Sequence, residues 1–296
     1  MSDTKRVFLV DGTYELFRHY FGVPSHRTAE GSEVAATRAV LGSVLGLIEE
    51  GVTHLGVATD HVIESFRNKM WPGYKSSAGI APDLLGQFGL LEVTLGALGI
   101  PVWAMVQLEA DDALASAAAV AADDPAVDQV VICTPDKDLG QCVRGARVVQ
   151  LDRRKRVVFD EAGVTAKFGV PPVSIPDYLA LVGDSSDGYP GLPGWGPKSS
   201  ALVLTRYGTI EHIPDSGAEW EVSVRGGPVL AATLAGHREE AMLFKDLATL
   251  RIDRSLLASV DDLRWRGPTD GFESVCARID ADNLARRAER LAARLG

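Results

Sequence analysis

The feature that most limits the fold of this chain is a series of short apolar runs that alternate with helical patterns and end in acidic residues. Four runs are predicted strands: Val7–Val10, His54–Ala58, Val102–Val106 and Val130–Cys133. Apolar side chains at helical spacing, and an Ala-rich stretch at Asp111–Ala122, predict helices between them. Strands that alternate with helices favour an α/β fold with a mainly parallel central sheet flanked by helices.

The second half of the chain has a different pattern. Residues Arg147–Phe159 are predicted to form a β-hairpin with a basic tip at Arg153–Arg156. From about Pro171 onward, helical patterns are joined by Gly- and Pro-rich turns, and Asp282–Leu295 is predicted to be an Arg-rich helix. We therefore expect an α/β core over residues 1–170 and a helical region over residues 171–296 that is integral to the same functional unit.

Composition excludes several classes of protein. With 46% hydrophobic and 24% charged residues, the 296-residue chain can form a packed core. Its three cysteines include no C-x-x-C pair, which argues against a disulfide framework or a thiolate zinc site and favours a reducing compartment. The apolar run Val7–Val10 is too short for a signal peptide, and no run has the length of a membrane span. The sequence predicts a cytoplasmic protein.

Acidic residues follow every predicted strand. The carboxyl ends of parallel strands line one crevice, so these carboxylates are expected to lie close together and to repel each other unless cations bind. Ligand sets made of oxygen alone favour Mg²⁺ or Mn²⁺ over zinc, and two such ions can promote hydrolysis of a phosphodiester. The residues are Asp11, Asp60, Glu109, Asp111, Asp112, Asp136 and Asp138. The pattern predicts a metal-dependent phosphoryl hydrolase.

Each acid taken alone has a structural explanation. Asp11 precedes Gly12 and fits a simple turn, whereas Asp111 or Asp112 fits a helix N-cap. Two further acids, Asp184 and Asp187, lie three positions apart and precede a Gly-rich turn that leads into a helix. The amides at the start of such a helix can bind a phosphate, although a Gly-rich turn alone is most often a plain helix connection.

Together these motifs resemble the 5′–3′ exonuclease and flap endonuclease family, whose bacterial members include the N-terminal nuclease domain of DNA polymerase I. The resemblance covers nearly the whole chain in order. The matching segments are Val10–Gly12, Asp60 with Ser65–Arg67, Tyr74–Lys75, Glu109–Asp112, Thr134–Asp138, Gly183–Asp187, Gly191–Lys198 and Leu247–Arg251. It implies a PIN-like nuclease core, a helical arch around residues 66–90 and a helix–hairpin–helix motif at about 183–208.

The resemblance also implies an activity. A stand-alone member is expected to be a structure-specific DNA 5′ nuclease that acts on flaps, nicked or gapped duplexes and 5′ ends in replication and repair. Hydrolysis by a two-metal mechanism would leave a 5′-phosphate and a 3′-hydroxyl. A DNA polymerase and a ligase are the expected kinds of protein partner, and the chain is expected to be a monomer. The alternatives are a non-catalytic DNA-junction binding protein and a related metal-dependent ribonuclease.

Residue roles follow from the resemblance position by position. One metal ion is expected on Asp11, Asp60, Glu109 and Asp111, the other on Asp136, Asp138 and Asp187, with Asp112 and Asp184 close by. Lys75 and Arg67 are expected to act in catalysis beside these carboxylates, chiefly Asp11 and Asp136. The expected DNA contacts are Tyr14, Arg18, Arg67, Lys75, Gly191, Gly194, Gly196 and Lys198. Backbone carbonyls of the segment Gly191–Lys198 are expected to hold a monovalent cation such as K⁺.

Two positions depart from the family pattern, and the charge is unusual for a DNA-binding protein. Ala78 stands where a basic residue is common, and Gly188 stands where an amide residue is common, which predicts a looser turn at Asp187. The formal net charge is −10. With the nine expected ligands set aside, the remainder is close to neutral. Basic residues such as those of Arg153–Arg156 fit either a track for DNA or a solvated hairpin tip.

Overall fold

The computed structural model describes residues 5–295 of the chain. The strands are β1 (Arg6–Asp11), β2 (His54–Asp60), β3 (Val102–Met105), β4 (Gln129–Cys133), β5 (Val148–Asp152) and β6 (Val157–Phe159). The helices are α1 (Gly12–Tyr20), α2 (Ala35–Glu49), α3 (Arg67–Met70), α4 (Pro82–Ala97), α5 (Ala110–Asp123), α6 (Glu161–Phe168), α7 (Ile175–Val182), α8 (Pro197–Tyr207), α9 (Gly227–Gly236), α10 (Arg238–Ala248), α11 (Phe272–Arg278) and α12 (Asp282–Ala292). The predicted strands, hairpin and final helix are confirmed to within a few residues. Among the described helices, none has the length and apolar character needed to cross a membrane.

The described chain divides into two compact units. The first unit contains residues 5–63, 77–134 and 252–295, and the second contains residues 64–76 and 135–251. This division differs from the predicted boundary at residue 170, because residues 135–169 belong with the helical second unit. The final segment, residues 252–295, belongs with the α/β first unit.

The first unit contains four parallel strands in the order β3-β2-β1-β4. The central strand β1 is paired on both sides, and its residues from Val7 onward are buried. Helix α5 packs against all four strands. Its buried face consists mainly of alanines, whose small side chains let a helix lie close to a sheet.

The strand order reverses direction beside β1. The chain moves from β1 to β2 on one side and later returns to β4 on the other. Such a reversal opens a crevice outside the carboxyl ends of the strands, because the following connections diverge. Asp11 is the last residue of β1, and Thr134 directly follows β4, so both lie at this crevice.

The second unit combines the antiparallel hairpin β5–β6 with a helical core. Helix α7 packs against α8 and α10. Two aromatic rings at the centre of this core, Tyr189 and Phe244, stack with their centroids 5.5 Å apart. The long loop between α7 and α8 carries the Gly-rich segment that the sequence analysis assigns to a helix–hairpin–helix motif.

The segment predicted to form a helical arch, residues 66–90, is not a separate helical element. Helix α3 has only four residues and belongs to the second unit. Helix α4 begins at Pro82 and packs in the first unit, with Leu84, Leu91 and Leu95 buried. Residues 71–81 form neither helix nor strand.

Candidate metal centre

The first carboxylate of the first unit, Asp11, is fixed by two hydrogen bonds. As the N-cap of α1, its Oδ1 accepts a hydrogen bond from the Tyr14 amide at 2.7 Å. Its Oδ2 accepts one from the Thr134 hydroxyl at 2.8 Å, across the crevice between β1 and β4. Since the carboxylate is buried, these bonds orient it before any ligand binds.

The other buried carboxylates of this unit lie around the start of α5. Asp60, the last residue of β2, accepts a hydrogen bond from the Ala110 amide at 2.8 Å. Glu109 is the N-cap of α5, and Asp112 accepts a hydrogen bond from the Glu109 amide at 2.9 Å in a capping box. The helix-cap explanation is therefore correct for this pair, with Glu109 rather than Asp111 or Asp112 in the cap position. Asp111 is half-buried beside them.

The acids of the second unit form a closer group. Asp138, Asp184 and Asp187 are all buried, and each offers a carboxylate oxygen within 4.8 Å of the other two. Asp136, two positions before Asp138, is half-buried, and its Oδ1 accepts a hydrogen bond from the Asp138 amide at 3.0 Å. The structure thus brings together the acids that the sequence placed after β4 and after α7.

The electrostatics of this group fit a divalent cation. Burial, together with repulsion from Asp136, Asp187 and Asp184, raises the pKa of Asp138 well above its ordinary value. Its Oδ1 is buried and has no hydrogen-bond partner among the described residues. A buried acceptor without a donor, beside further carboxylates, is an arrangement that a hard cation with oxygen ligands would stabilise.

Two lysines balance part of this negative charge. Lys75 Nζ lies 3.4 Å from Asp187 Oδ1, and the Lys75 amide donates to the Asp187 carbonyl at 3.0 Å. Lys137 Nζ lies 2.7 Å from Asp184 Oδ2. Burial lowers the pKa of Lys137, but its hydrogen bond and attraction to Asp184 outweigh this effect, so the pKa is raised. Lys137 is not among the site residues predicted from the sequence, although its position between Asp136 and Asp138 was a usable signal.

Backbone hydrogen bonds and close packing constrain the turn that carries Asp184 and Asp187. The Gly188 amide donates to the Asp184 carbonyl at 2.8 Å, and Asp184 and Tyr189 form a β-bridge. Gly188 has φ +83°, and a Cβ at this position would lie 2.0 Å from the Gly73 carbonyl oxygen. The expectation that Gly188 loosens this turn is wrong, because only glycine fits so close to the neighbouring backbone.

Arg67 has a structural position rather than the expected DNA-facing one. Only 1% of its surface is exposed. Its guanidinium donates to the carbonyls of Leu247 at 2.8 Å and Thr249 at 3.1 Å, and it lies over the Phe66 ring. These contacts explain the Leu247–Arg251 segment noted in the sequence: its carbonyls bind a buried arginine. In this arrangement Arg67 is not available to contact a phosphate.

The two residues of α1 that were expected to contact DNA are half-buried. The amide of Tyr14 caps Asp11, as described above. Arg18 forms an ion pair with Glu15 at 2.5 Å and also contacts His19 at 2.8 Å. Arg18 is thus already engaged within its own helix.

The Gly-rich segment forms a turn that leads into α8. Gly191 and Gly194 have φ +70° and +81°, and a Cβ on Gly191 would lie 2.4 Å from the Gly183 amide nitrogen. Gly196 is the N-cap of α8, and Pro197 is its first residue. Lys198 is exposed in the first turn of this helix. Backbone amides at the start of an 11-residue helix with an exposed lysine suit a phosphate.

One residue near the second-unit acids gave no signal in the sequence. Tyr189 is buried, and its hydroxyl has no hydrogen-bond partner among the described residues. Burial, and then the charges of Asp138, Asp187 and Asp184, raise its pKa. The phenol is therefore a neutral group in the electrostatic field of this acidic cluster.

Family models match most of the chain. The model of the 5′–3′ exonuclease N-terminal resolvase-like domain matches residues 6–169, and that of the 5′–3′ exonuclease C-terminal SAM fold matches residues 170–271. The chain is 33% identical over 266 residues to a 5′–3′ exonuclease of Aquifex aeolicus, covering 89% of this chain and 88% of that protein. It is 34% identical over 267 residues to DNA polymerase I of Pseudomonas aeruginosa, of which it spans 28%.

Solved structures show the same fold. A mutant of the T5 5′-exonuclease superimposes with a TM-score of 0.63 at 17% identity, covering 97% of this chain and 98% of that one. The catalytic core of Rad2 in complex with a DNA substrate gives a TM-score of 0.62 at 17% identity, with 96% of this chain and 92% of that one covered. The predicted α/β fold with a PIN-like core and a C-terminal helical domain is confirmed. From the matched family models and the Aquifex relative, the chain belongs to the 5′–3′ exonuclease family.

Proposed function

We propose that this protein is a divalent-metal-dependent DNA 5′ nuclease that removes 5′ flaps and shortens 5′ ends at nicks and gaps, leaving a 5′-phosphate and a 3′-hydroxyl. The single observation that carries the proposal is the buried group Asp138, Asp184 and Asp187, with an acceptor that lacks a partner. Family membership supplies the reaction class. The catalytic core of Rad2, which has the same fold, forms a complex with a DNA substrate, and this supports DNA as the polymer.

We assign the metal ligands in two sets. The first set is Asp11, Asp60, Glu109 and Asp111, and the second is Asp136, Asp138 and Asp187, with Asp112 and Asp184 supporting them. These carboxylates would hold Mg²⁺ or Mn²⁺, which would supply a more acidic water and neutralise charge on the leaving oxygen. Asp112 keeps its capping-box contact and orients Glu109, because its carboxylate already accepts the Glu109 amide.

The lysines hold the carboxylates of the second unit until substrate binds. Lys75 has a side chain that is 25% exposed and lies 3.4 Å from Asp187, so it can turn toward a phosphate oxygen when a cation binds that carboxylate. Lys137 stays close to Asp184, because its ion pair is shorter and its partner is more deeply buried. Lys75 is the residue that would contact the scissile phosphate.

The Gly-rich segment is the proposed grip on duplex DNA. The amides at the start of α8, together with Lys198, would bind backbone phosphates, and carbonyls of Gly191–Lys198 would hold K⁺. We also propose that the protein acts as a monomer in the cytoplasm during replication and repair, beside a polymerase and a ligase. The reducing compartment is inferred from three cysteines with no C-x-x-C pair among them.

The test is cleavage of a 5′-labelled double-flap DNA with Mg²⁺, with Mn²⁺ and with EDTA. We expect metal-dependent release of the flap near the junction. Asp136→Asn should lower the rate by more than about 100-fold, which exceeds the cost of losing an outer-shell partner. Glu239→Gln, which removes an exposed carboxylate at the start of α10, is the matched control and should cleave normally.

Each other outcome has a distinct meaning. Binding of the flap without cleavage in either metal would identify a DNA-junction binding protein. Faster cleavage of a matched RNA would identify a ribonuclease. Normal cleavage by Asp136→Asn would contradict the ligand assignment, and release of single nucleotides alone would identify an exonuclease without flap activity.

A further inference from the structure

Helix α12 and the turn that follows it carry a stripe of arginines on the surface of the first unit. Arg286, Arg290 and Arg294 are spaced four positions apart, and all three are exposed. Residues four apart lie on one side of a helix, about 6 Å from each other along its axis. The stripe is therefore about 12 Å long. It lies beyond residue 271, where the match to the family models ends.

The helix is held so that this stripe has a fixed orientation. Ala285, Ala288 and Leu291 are buried on its inner face, and α12 packs against α2 and α11. Arg287 anchors it to α2: its guanidinium donates to both carboxylate oxygens of Glu49, at 2.7 and 2.6 Å, and to the Gly42 carbonyl at 3.0 Å.

The arginines of the stripe, unlike Arg287, form no ion pair among the described residues. Other exposed arginines of the same unit do: Arg254 pairs with Asp123 and Arg266 with Asp261. The stripe also acts on Glu49 of α2. Its pKa is lowered first by the hydrogen bond from Arg287 and only weakly by Arg294 and Arg290. The stripe thus keeps unsatisfied positive charge.

The acids of α12 lie near the first arginine of the stripe but form no ion pair with it. Asp282 is four positions before Arg286 and Glu289 is three positions after it, so both lie within one turn, yet neither is paired with Arg286 among the described residues. A protein with a formal net charge of −10 otherwise repels polyanions. Three guanidinium groups without ion-pair partners among the described residues give this helix a local positive charge.

We propose that the stripe Arg286–Arg290–Arg294 is a second DNA-binding surface, which contacts the phosphodiester backbone of a duplex away from the bond that is cut. Duplex DNA carries one charge per about 1.7 Å of its axis when both strands are counted, so about seven phosphates lie within a 12 Å length of duplex, enough for each arginine to reach one. Guanidinium groups bind phosphate oxygens without reading base sequence. This inference rests on the proposed function only for the choice of DNA as the polyanion.

The test is the salt dependence of DNA binding by the full chain in EDTA, where cleavage does not interfere. Anisotropy of a labelled nicked duplex gives the affinity at a series of KCl concentrations. The variant R286Q/R290Q/R294Q should lower the slope of log affinity against log salt by about 2 to 3, because each lost phosphate contact removes about 0.9. At the lowest salt we expect affinity to fall about 10-fold or more.

A control variant separates the stripe from net charge. R27Q/R254Q/R266Q removes the same number of charges from exposed arginines of the first unit that are paired with Asp83, Asp123 and Asp261. It should leave the slope unchanged. The variant R286K/R290K/R294K keeps the charge and should retain most of the slope, which excludes misfolding as the cause of a loss.

The outcomes distinguish this inference from the proposed function. A slope equal to that of the unmodified chain, or an equal loss in the control variant, overturns the DNA-binding role of the stripe even if flap cleavage is normal. A selective loss of slope supports the stripe even if no cleavage is found. With cleavage present, the Gln variant should raise KM and leave kcat unchanged.

Discussion

The carboxylates of the two units accept backbone amides in both cases but differ in how their remaining charge is balanced. In the first unit, Asp11 and Asp60 accept hydrogen bonds from a hydroxyl and from backbone amides at 2.7 to 2.8 Å. In the second unit, Asp136 and Asp184 also accept backbone amides, at 3.0 and 2.8 Å. There, however, Asp138 has a buried oxygen without a partner, and Asp184 and Asp187 form ion pairs with lysines.

This difference predicts how each set of carboxylates is arranged before a cation binds. Neutral donors fix the first set, so its geometry should persist without metal. The second set concentrates like charges in a buried place, which costs stability until a cation binds. The metal-free protein should therefore carry its electrostatic strain in the second unit, and the predictions below test this contrast.

The largest expected effect is on cleavage by Asp138→Asn. Losing this ligand should reduce the rate more than about 100-fold, beyond the usual cost of an outer-shell change. Mg²⁺ should raise the Tm of the unmodified protein, and the same variant should lose most of that increase. The reason is that the stabilisation depends on how tightly the ion binds the folded state. Flap cleavage and thermal unfolding, each with and without Mg²⁺, measure both. Normal Mg²⁺-dependent stabilisation would show that Asp138 is not a ligand.

A second prediction concerns the turn that positions Asp187. Gly188→Ala should destabilise the protein by about 1–3 kcal/mol from backbone strain alone, with the close Gly73 carbonyl adding to the loss. Cleavage should fall with it. Gly86→Ala is the control, because nothing lies within 4 Å of a Cβ at that position of α4. Chemical denaturation of both variants measures the difference, and equal stability would contradict the proposed tight turn.

The smallest expected effect is on stability without metal. One substitution in each unit should shift Tm in opposite directions, which tests the contrast directly. In EDTA, Asp60→Ala should lower stability by about 1–3 kcal/mol, because it leaves the buried Ala110 amide without its acceptor. Asp138→Asn should instead raise Tm by about 2–4 °C for each kcal/mol of repulsion relieved. If both variants shift Tm in the same direction, the two carboxylate sets are not held differently.

Much of the fold and of the site was predictable because the signals are local. A buried strand appears in the sequence as a short apolar run. The residue after that run lies at the carboxyl end of the strand, whatever the rest of the chain does. Asp11 and Asp60 could therefore be assigned to strand ends, and the structure places both as the last residues of β1 and β2. The acids after α7 were found in the same way, from a short motif.

Other features depended on contacts between distant residues. Arg67 looked like a DNA-binding residue from its motif, but its guanidinium binds the Leu247 carbonyl, 180 positions away. Gly188 was expected to weaken its turn, but the Gly73 carbonyl lies too close to position 188 for any residue with a Cβ. No local pattern encodes either neighbour.

The sequence by itself determined the α/β class, the family and the set of acidic residues, because periodicity and short motifs are properties of consecutive residues. Only the tertiary structure decided which charges are paired. It showed that Lys137 pairs with Asp184, that Arg67 is buried and that Arg286 is left without an ion-pair partner among the described residues. Pairing and burial depend on which distant segments meet, and that is fixed by packing of the whole chain.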